Sequence, residues 1–140
     1  MAFVTAIISS STPRVSELEA ALDAAAWANA RWYAQEKAAG KEPPCCLSCA
    51  GVCYSPDRAS SLGATFYTGA ELLARGFASC GEVAAYSLGV ERAKRGARVG
   101  RIVLVWQRPE VLHALVQVDG SSVRLDPSRE LEPCGATSNG

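Results

Sequence analysis

The amino-acid sequence predicts an α+β domain in which N-terminal helices pack on a mainly antiparallel β-sheet. Helical start and stop signals crowd the chain before residue 96, and β-rich runs follow Val99. Asp119-Gly120, set between two apolar runs, is the strongest short hairpin signal available. A length of 140 residues fits one domain with a real core, so residues 1–140 are read as a single unit.

The first apolar run, Ala2 to Ile8, reads as an initial strand or an unpacked arm. Ser16-Glu17-Leu18-Glu19 has the form of a capping box and opens an alanine-rich helix to about Lys37 or Ala39. Gly40 and Pro43-Pro44 end it, with Trp27, Trp32 and Tyr33 as the bulk it can bury. Residues 41–66 lack periodicity and form a long loop around a cysteine cluster. Thr68 to Glu71 is a second capping box, before a short helix that Gly76 stops. Ser79-Cys80-Gly81-Glu82 is a third; Cys80 becomes the first helical residue, and the helix runs to Lys94 or Arg95 before Gly96. Gly89 inside that helix costs about 1 kcal/mol relative to alanine, so tertiary packing must compensate. Val99 to Gln107 reads as a buried strand broken by Arg108-Pro109, and Val111 to Val118 as the next. Ser121 to Leu125 returns antiparallel, and Thr137 to Gly140 is a frayed tail.

Formal charge is zero, with 14 basic and 14 acidic residues, so bulk electrostatics favour neither nucleic acid nor an anionic membrane. Ala2 to Ile8 is too short to span a bilayer and lacks the basic flank and cleavage site of a secretory signal. Four of the six cysteines crowd into Cys45, Cys46, Cys49 and Cys53, without the even spacing of a disulfide framework. That pattern favours a cytoplasmic protein.

The hairpin brings chemistry together. With Asp119 and Gly120 as a two-residue loop, Val118 faces Ser121, and His113 falls directly opposite Asp126. Their Cβ atoms would then lie on the order of 5 Å apart on one face. That face carries His113, Leu115, Gln117, Ser122, Arg124 and Asp126. The other, with Leu112, Ala114, Val116, Val118, Ser121, Val123 and Leu125, is nearly all apolar and faces the core. Cys80 supplies a nucleophile: backbone N–H groups and the positive dipole end at a helix start favour a thiolate. Glu82 works against this, since a nearby carboxylate raises a thiol pKa, unless its charge is turned aside by bonding back to the Ser79 backbone. Singly these are ordinary residues: a buried small cysteine, a strand histidine and a turn aspartate. Their conjunction points to a Cys80–His113–Asp126 triad.

At these residues the chain resembles the transglutaminase-like superfamily, whose catalytic core is shared with papain-like enzymes. The resemblance rests on Gly76-Phe77-Ala78-Ser79-Cys80-Gly81-Glu82-Val83-Ala84, on His113 to Val118, and on Leu125-Asp126-Pro127-Ser128. It spans about residues 66–130 and implies thiol acyl-transfer chemistry: Cys80 as nucleophile, His113 as base then acid, Asp126 as orienter. The chain departs from the family at Leu115, where many relatives carry tryptophan, and at Val123 and Arg124, where an aromatic is common. The side chain completing an oxyanion hole has four candidates: Trp27, Trp32, Gln35 and Tyr67.

The implied partner is a peptide or protein substrate, with protease-like activity favoured, and no cofactor is expected. Two rivals stand beside it: an inactive binding or assembly module, and a zinc-stabilised interaction domain. The second rests on Cys46, Cys49 and Cys53, preceded by Cys45 and with Cys134 as a further candidate ligand. Against zinc, unpaired thiols in a loop are the simpler expectation.

Overall fold

A computed structural model describes residues 3–5, 15–55, 65–96, 99–108 and 111–135. The elements are β1 (Phe3–Thr5), α1 (Val15–Ala38), β2 (Cys53–Tyr54), β3 (Thr65–Tyr67), α2 (Gly69–Arg75), β4 (Phe77–Ala78), α3 (Cys80–Arg95), β5 (Gly100–Arg108), β6 (Val111–Val118) and β7 (Arg124–Leu125). Short 3-10 turns cover Ser48–Ala50 and Pro127–Glu130. The fold is α+β, as expected. The tail over Thr137–Gly140, the break at Pro109 and residues 56–64 of the cysteine-rich loop lie outside the described residues.

The two long helices build the centre. α1 buries Leu18, Leu22, Ala25, Ala26, Asn29, Ala30 and Tyr33, a stripe at three- and four-residue spacing. Its small members let α3 come close. A Cβ added at Gly89 would lie 2.6 Å from the Asn29 Cβ and 2.7 Å from the Ala26 carbonyl oxygen, so this glycine marks the helix crossing. Gly89→Ala should therefore destabilise although alanine is the better helix former. Overpacking of about 3 kcal/mol outweighs a propensity gain of about 1 kcal/mol. A urea midpoint equal to or above that of the parent would show that the helices are not this close.

Trp27 and Trp32 are only half-buried, contrary to the expectation that they supply the bulk of the helix face. The Arg92 guanidinium lies over Trp27, 4.5 Å from the ring centre. Trp32 covers Gly69 and tilts against Tyr86. Their rings close the flanks while Leu18 and Leu22 fill the centre.

Of the three capping boxes, one forms. α1 begins at Val15, which puts Ser16 inside the first turn, and the Glu19 carboxylate instead accepts the Leu104 N–H of β5 at 2.7 Å. Thr68 is the N-cap of α2 but makes no side-chain cap bond; Asn29 Oδ1 already accepts the Gly69 N–H at 2.8 Å. At α3 the box is complete, with Ser79 Oγ accepting the Glu82 N–H and Glu82 accepting the Ser79 N–H.

β5, β6 and β7 form an antiparallel sheet with β6 in the middle. Ile102, Ala114 and Val116 project into one core cluster with Cys80, Ala84 and Leu88 of α3. Val123 and Leu125, expected in that core, are half-exposed. β7 is two residues long at the sheet margin, so Leu125 within it and Val123 just before it are left half-open to solvent. β1 pairs antiparallel with β3, and β2 pairs parallel with β4. β2, β3 and β4 went unpredicted because strands of two or three residues cannot show a period.

Four cysteines are paired: Cys46 with Cys49, and Cys53 with Cys134. This corrects the expectation of a loop of unpaired thiols. The Cys53–Cys134 bridge joins partners 81 positions apart, a contact no local spacing reveals.

Candidate functional site

The site grows from the start of α3 and the adjoining strands. Cys80 is the first residue of α3, is 5% exposed, and lies outside the disulfides. The Glu82 charge that threatened its thiolate is offset. Glu82 is buried, accepts the Ser79 N–H at 3.0 Å and the Tyr67 N–H at 2.7 Å, and pairs with Arg75. Arg75 is itself held between the Tyr67 and Phe77 rings and donates to the Phe77 carbonyl. A carboxylate so fully neutralised repels a neighbouring thiolate little.

His113 and Asp126 are in direct contact, with His113 Nε2 2.8 Å from Asp126 Oδ2. The route differs from the sequence reading. Val116 pairs with Leu125 and Gln117 with Arg124, and the Val118 N–H donates to the Val123 carbonyl. The loop is therefore four residues, Asp119–Ser122, and the register is displaced by two from that of a two-residue turn. Side chains satisfy the longer loop: Gln117 Nε2 donates to the Ser121 carbonyl at 2.6 Å, and Ser121 Oγ accepts the Val123 N–H at 3.0 Å. A displacement of two preserves which face each residue is on, where a displacement of one would reverse it. His113 and Asp126 thus stay on one face as diagonal neighbours, within reach of a long side chain.

Asp126 is further tied by Ser128 Oγ, which donates to Oδ1 at 2.6 Å, and by Arg129 Nε, 3.3 Å from Oδ2. Burial works to raise its carboxyl pKa; the hydrogen bonds from Ser128 and His113 and the His113 charge outweigh it and hold the carboxyl below its ordinary range. Stability from a lowered carboxyl pKa is present above the unfolded value, about 3.9, and is lost as pH falls through the folded value. Asp126→Asn should consequently cost about 2 kcal/mol near pH 6, a deficit that shrinks toward pH 2. Urea midpoints of both proteins across that range test this, and a deficit independent of pH would contradict it.

With Nε2–H directed at a carboxylate, the neutral ring keeps its lone pair on Nδ1. α3 packs on β6, and Cys80 shares its core cluster with Ala114, which follows His113 in β6 and so projects from the opposite face of the sheet. Ser128, Arg129 and Arg75 had no assigned part in the sequence reading. A serine two residues after the aspartate is a legible local pattern, whereas nothing near Arg75 announces its ion pair. Of the oxyanion candidates, Gln35 is exposed, Trp27 lies under Arg92, and Trp32 packs on Tyr86. Tyr67 is the one whose backbone reaches the first turn of α3, through Glu82.

A pocket of about 480 Å³ opens between α3, the sheet and the Asp126 turn. Leu88, Val116 and Leu125 line it with Asp126, and Cys45 and Cys46 form part of its wall. The Cys45, Cys46 and Cys49 sulfurs lie within 4.8 Å of one another and could hold a metal ion. Of the expected set of Cys46, Cys49 and Cys53, Cys53 is bound to Cys134 and Cys45 stands in its place, while Cys46 and Cys49 are bonded to each other, so the trio offers three thiolates only when that bridge is reduced. Among the described residues no helix is long and apolar enough to cross a membrane. Comparison with family models, with curated proteins and with solved structures gives no match.

Proposed function

We propose that this protein is a thiol-dependent hydrolase or acyltransferase acting on peptide or amide bonds, with a transglutaminase-like core. The observation that carries the reading is the His113–Asp126 contact at 2.8 Å, which leaves Nδ1 as the basic nitrogen; the helix-start Cys80 is the nucleophile proposed for it. In the proposed cycle Nδ1 takes the Cys80 proton, and the thiolate attacks the substrate carbonyl. Backbone N–H groups at the start of α3 stabilise the oxyanion. Collapse of the tetrahedral species breaks the C–N bond, and the imidazolium gives its proton to the departing amine. Water, activated by the same imidazole, then hydrolyses the thioester; an amine in place of water gives acyl transfer. Asp126 fixes the ring and stabilises its charged form.

Alkylation at low pH tests this. At pH 6 an ordinary thiol is about 0.3% thiolate, so iodoacetamide should label an activated Cys80 well before the exposed Cys45, with adducts mapped by mass spectrometry. Labelling of Cys45 alone would argue against an ion-paired Cys80. Loss of Cys80 labelling in His113→Ala would support one.

A second reading, a zinc-stabilised interaction domain, is favoured by one observation, the Cys45, Cys46 and Cys49 cluster. Thiolates are soft ligands that suit Zn²⁺. The inactive assembly module expected as an alternative is favoured by the burial of Cys80, 5% exposed within the core cluster. Disulfides persist in oxidising surroundings and are rare in a reducing cytosol, so the two bridges weigh against a cytoplasmic location.

A further inference from the structure

We infer that Cys45, Cys46 and Cys49 form a second thiol centre whose oxidation state decides whether it binds a soft divalent cation. The inference rests on the metal reading of this cluster and is independent of the triad. Two of its three sulfurs are joined as a disulfide, and the third, Cys45, is outside any disulfide and exposed. All three lie within 4.8 Å of one another. A disulfide has no thiolate to offer, so the oxidised trio presents one ligand. Reduction presents three.

The step balances simply. A thiolate of a dithiol reductant attacks one sulfur of the Cys46–Cys49 bond, its second thiol displaces the resulting mixed disulfide, and the reductant leaves as a cyclic disulfide. Two electrons and two protons pass to Cys46 and Cys49. Zn²⁺ then replaces the protons on Cys45, Cys46 and Cys49, which are released to solvent. Tetrahedral zinc with Zn–S near 2.3 Å needs sulfurs about 3.8 Å apart, so the bonded pair must separate, and the Cys45 sulfur, within 4.8 Å of both, has little distance to close. The fourth position falls to water.

Local structure favours both states. Leu47 is buried and anchors the segment between Cys46 and Cys49, and Tyr86 Oη donates to the Pro44 carbonyl at 2.6 Å, fastening the residue before Cys45 to α3. The chain need not move far between states, because its two sides are pinned. Ser48 Oγ donates to Cys46 Sγ at 3.5 Å, a bond that would stabilise a Cys46 thiolate after reduction. Cys45 and Cys46 also line the pocket that reaches Asp126, so a cation here would sit in its wall.

The test uses the full chain and zinc alone. Zinc bound after gel filtration is measured in the oxidised protein and in protein reduced by a phosphine, which becomes the phosphine oxide with water supplying the oxygen. About one zinc per chain in the reduced protein and none in the oxidised protein is the expected result. Cys45→Ser and Cys49→Ser should each weaken zinc binding about 100-fold or more, and Cys80→Ala should leave it unchanged. Equal zinc in both oxidation states would overturn the redox gate while leaving the zinc reading intact. No zinc in either state would overturn both, and zinc retained by Cys45→Ser and Cys49→Ser would place it elsewhere.

Discussion

Cys80→Ala is expected to abolish turnover of an amide substrate, and His113→Ala to do nearly the same, each by ~10⁴-fold or more. The two act as one unit. Without the imidazole the thiol keeps its proton, and without sulfur the imidazole has nothing to activate. The double variant should therefore be no worse than the worse single one. Hydrolysis of an electrophile-selected peptide pool, followed before and after each substitution, measures the effect. Cys80 is buried in the cluster with Ala84 and Leu88, so its replacement also removes a small apolar group. Cys80→Ser, closer in volume, guards against a folding artefact. Activity retained at the parental level in a folded Cys80→Ala protein would end the thiol mechanism.

Loss of the Cys53–Cys134 bridge is expected to cost about 4 kcal/mol, the largest stability effect of any change proposed for this chain. Its partners lie 81 positions apart, so the cross-link removes much of the freedom of the unfolded chain. The closed segment contains α2, α3 and the β5–β7 sheet, and therefore Cys80, His113 and Asp126. Backbone bonds near the bridge hold the same junction: Tyr54 N–H donates to the Glu132 carbonyl and Cys134 N–H to the Tyr54 carbonyl, each at 2.7 Å. Unfolding of Cys53→Ser/Cys134→Ser in urea reads the effect. A loss below about 1 kcal/mol would assign the closure to those backbone bonds.

Long elements were legible in the chain because each carries several mutually consistent signals. α3 was bounded on both sides, by Ser79 with Glu82 and by Gly96, and the structure begins and ends it at Cys80 and Arg95. Where a signal depended on one partner it was diverted. Glu19 had the spacing of a cap but went to β5, and the first N–H of α2 was taken by Asn29, 40 positions earlier. The hairpin gives the sharpest instance. Asp119-Gly120 does form the turn, with Gly120 at φ 74°, but Gln117 and Ser121 satisfy two further loop residues. The pairing of His113 with Asp126 survived because an even displacement conserves the faces. The disulfides could not be read, since six cysteines permit 15 connectivities even when all are paired.

The carboxylate of Glu19 has an effect beyond its own hydrogen bond. β5 is the outer rim of the three-stranded sheet, and a rim normally offers its backbone as a template to a neighbouring molecule. Here one donor on that rim, at Leu104, is already occupied from within the chain, by a group that brings negative charge with it. A second copy aligning strand to strand would have to evict that charge before the sheet could continue. The same residue that failed as a helix cap thus serves as a stopper against fibre-like growth.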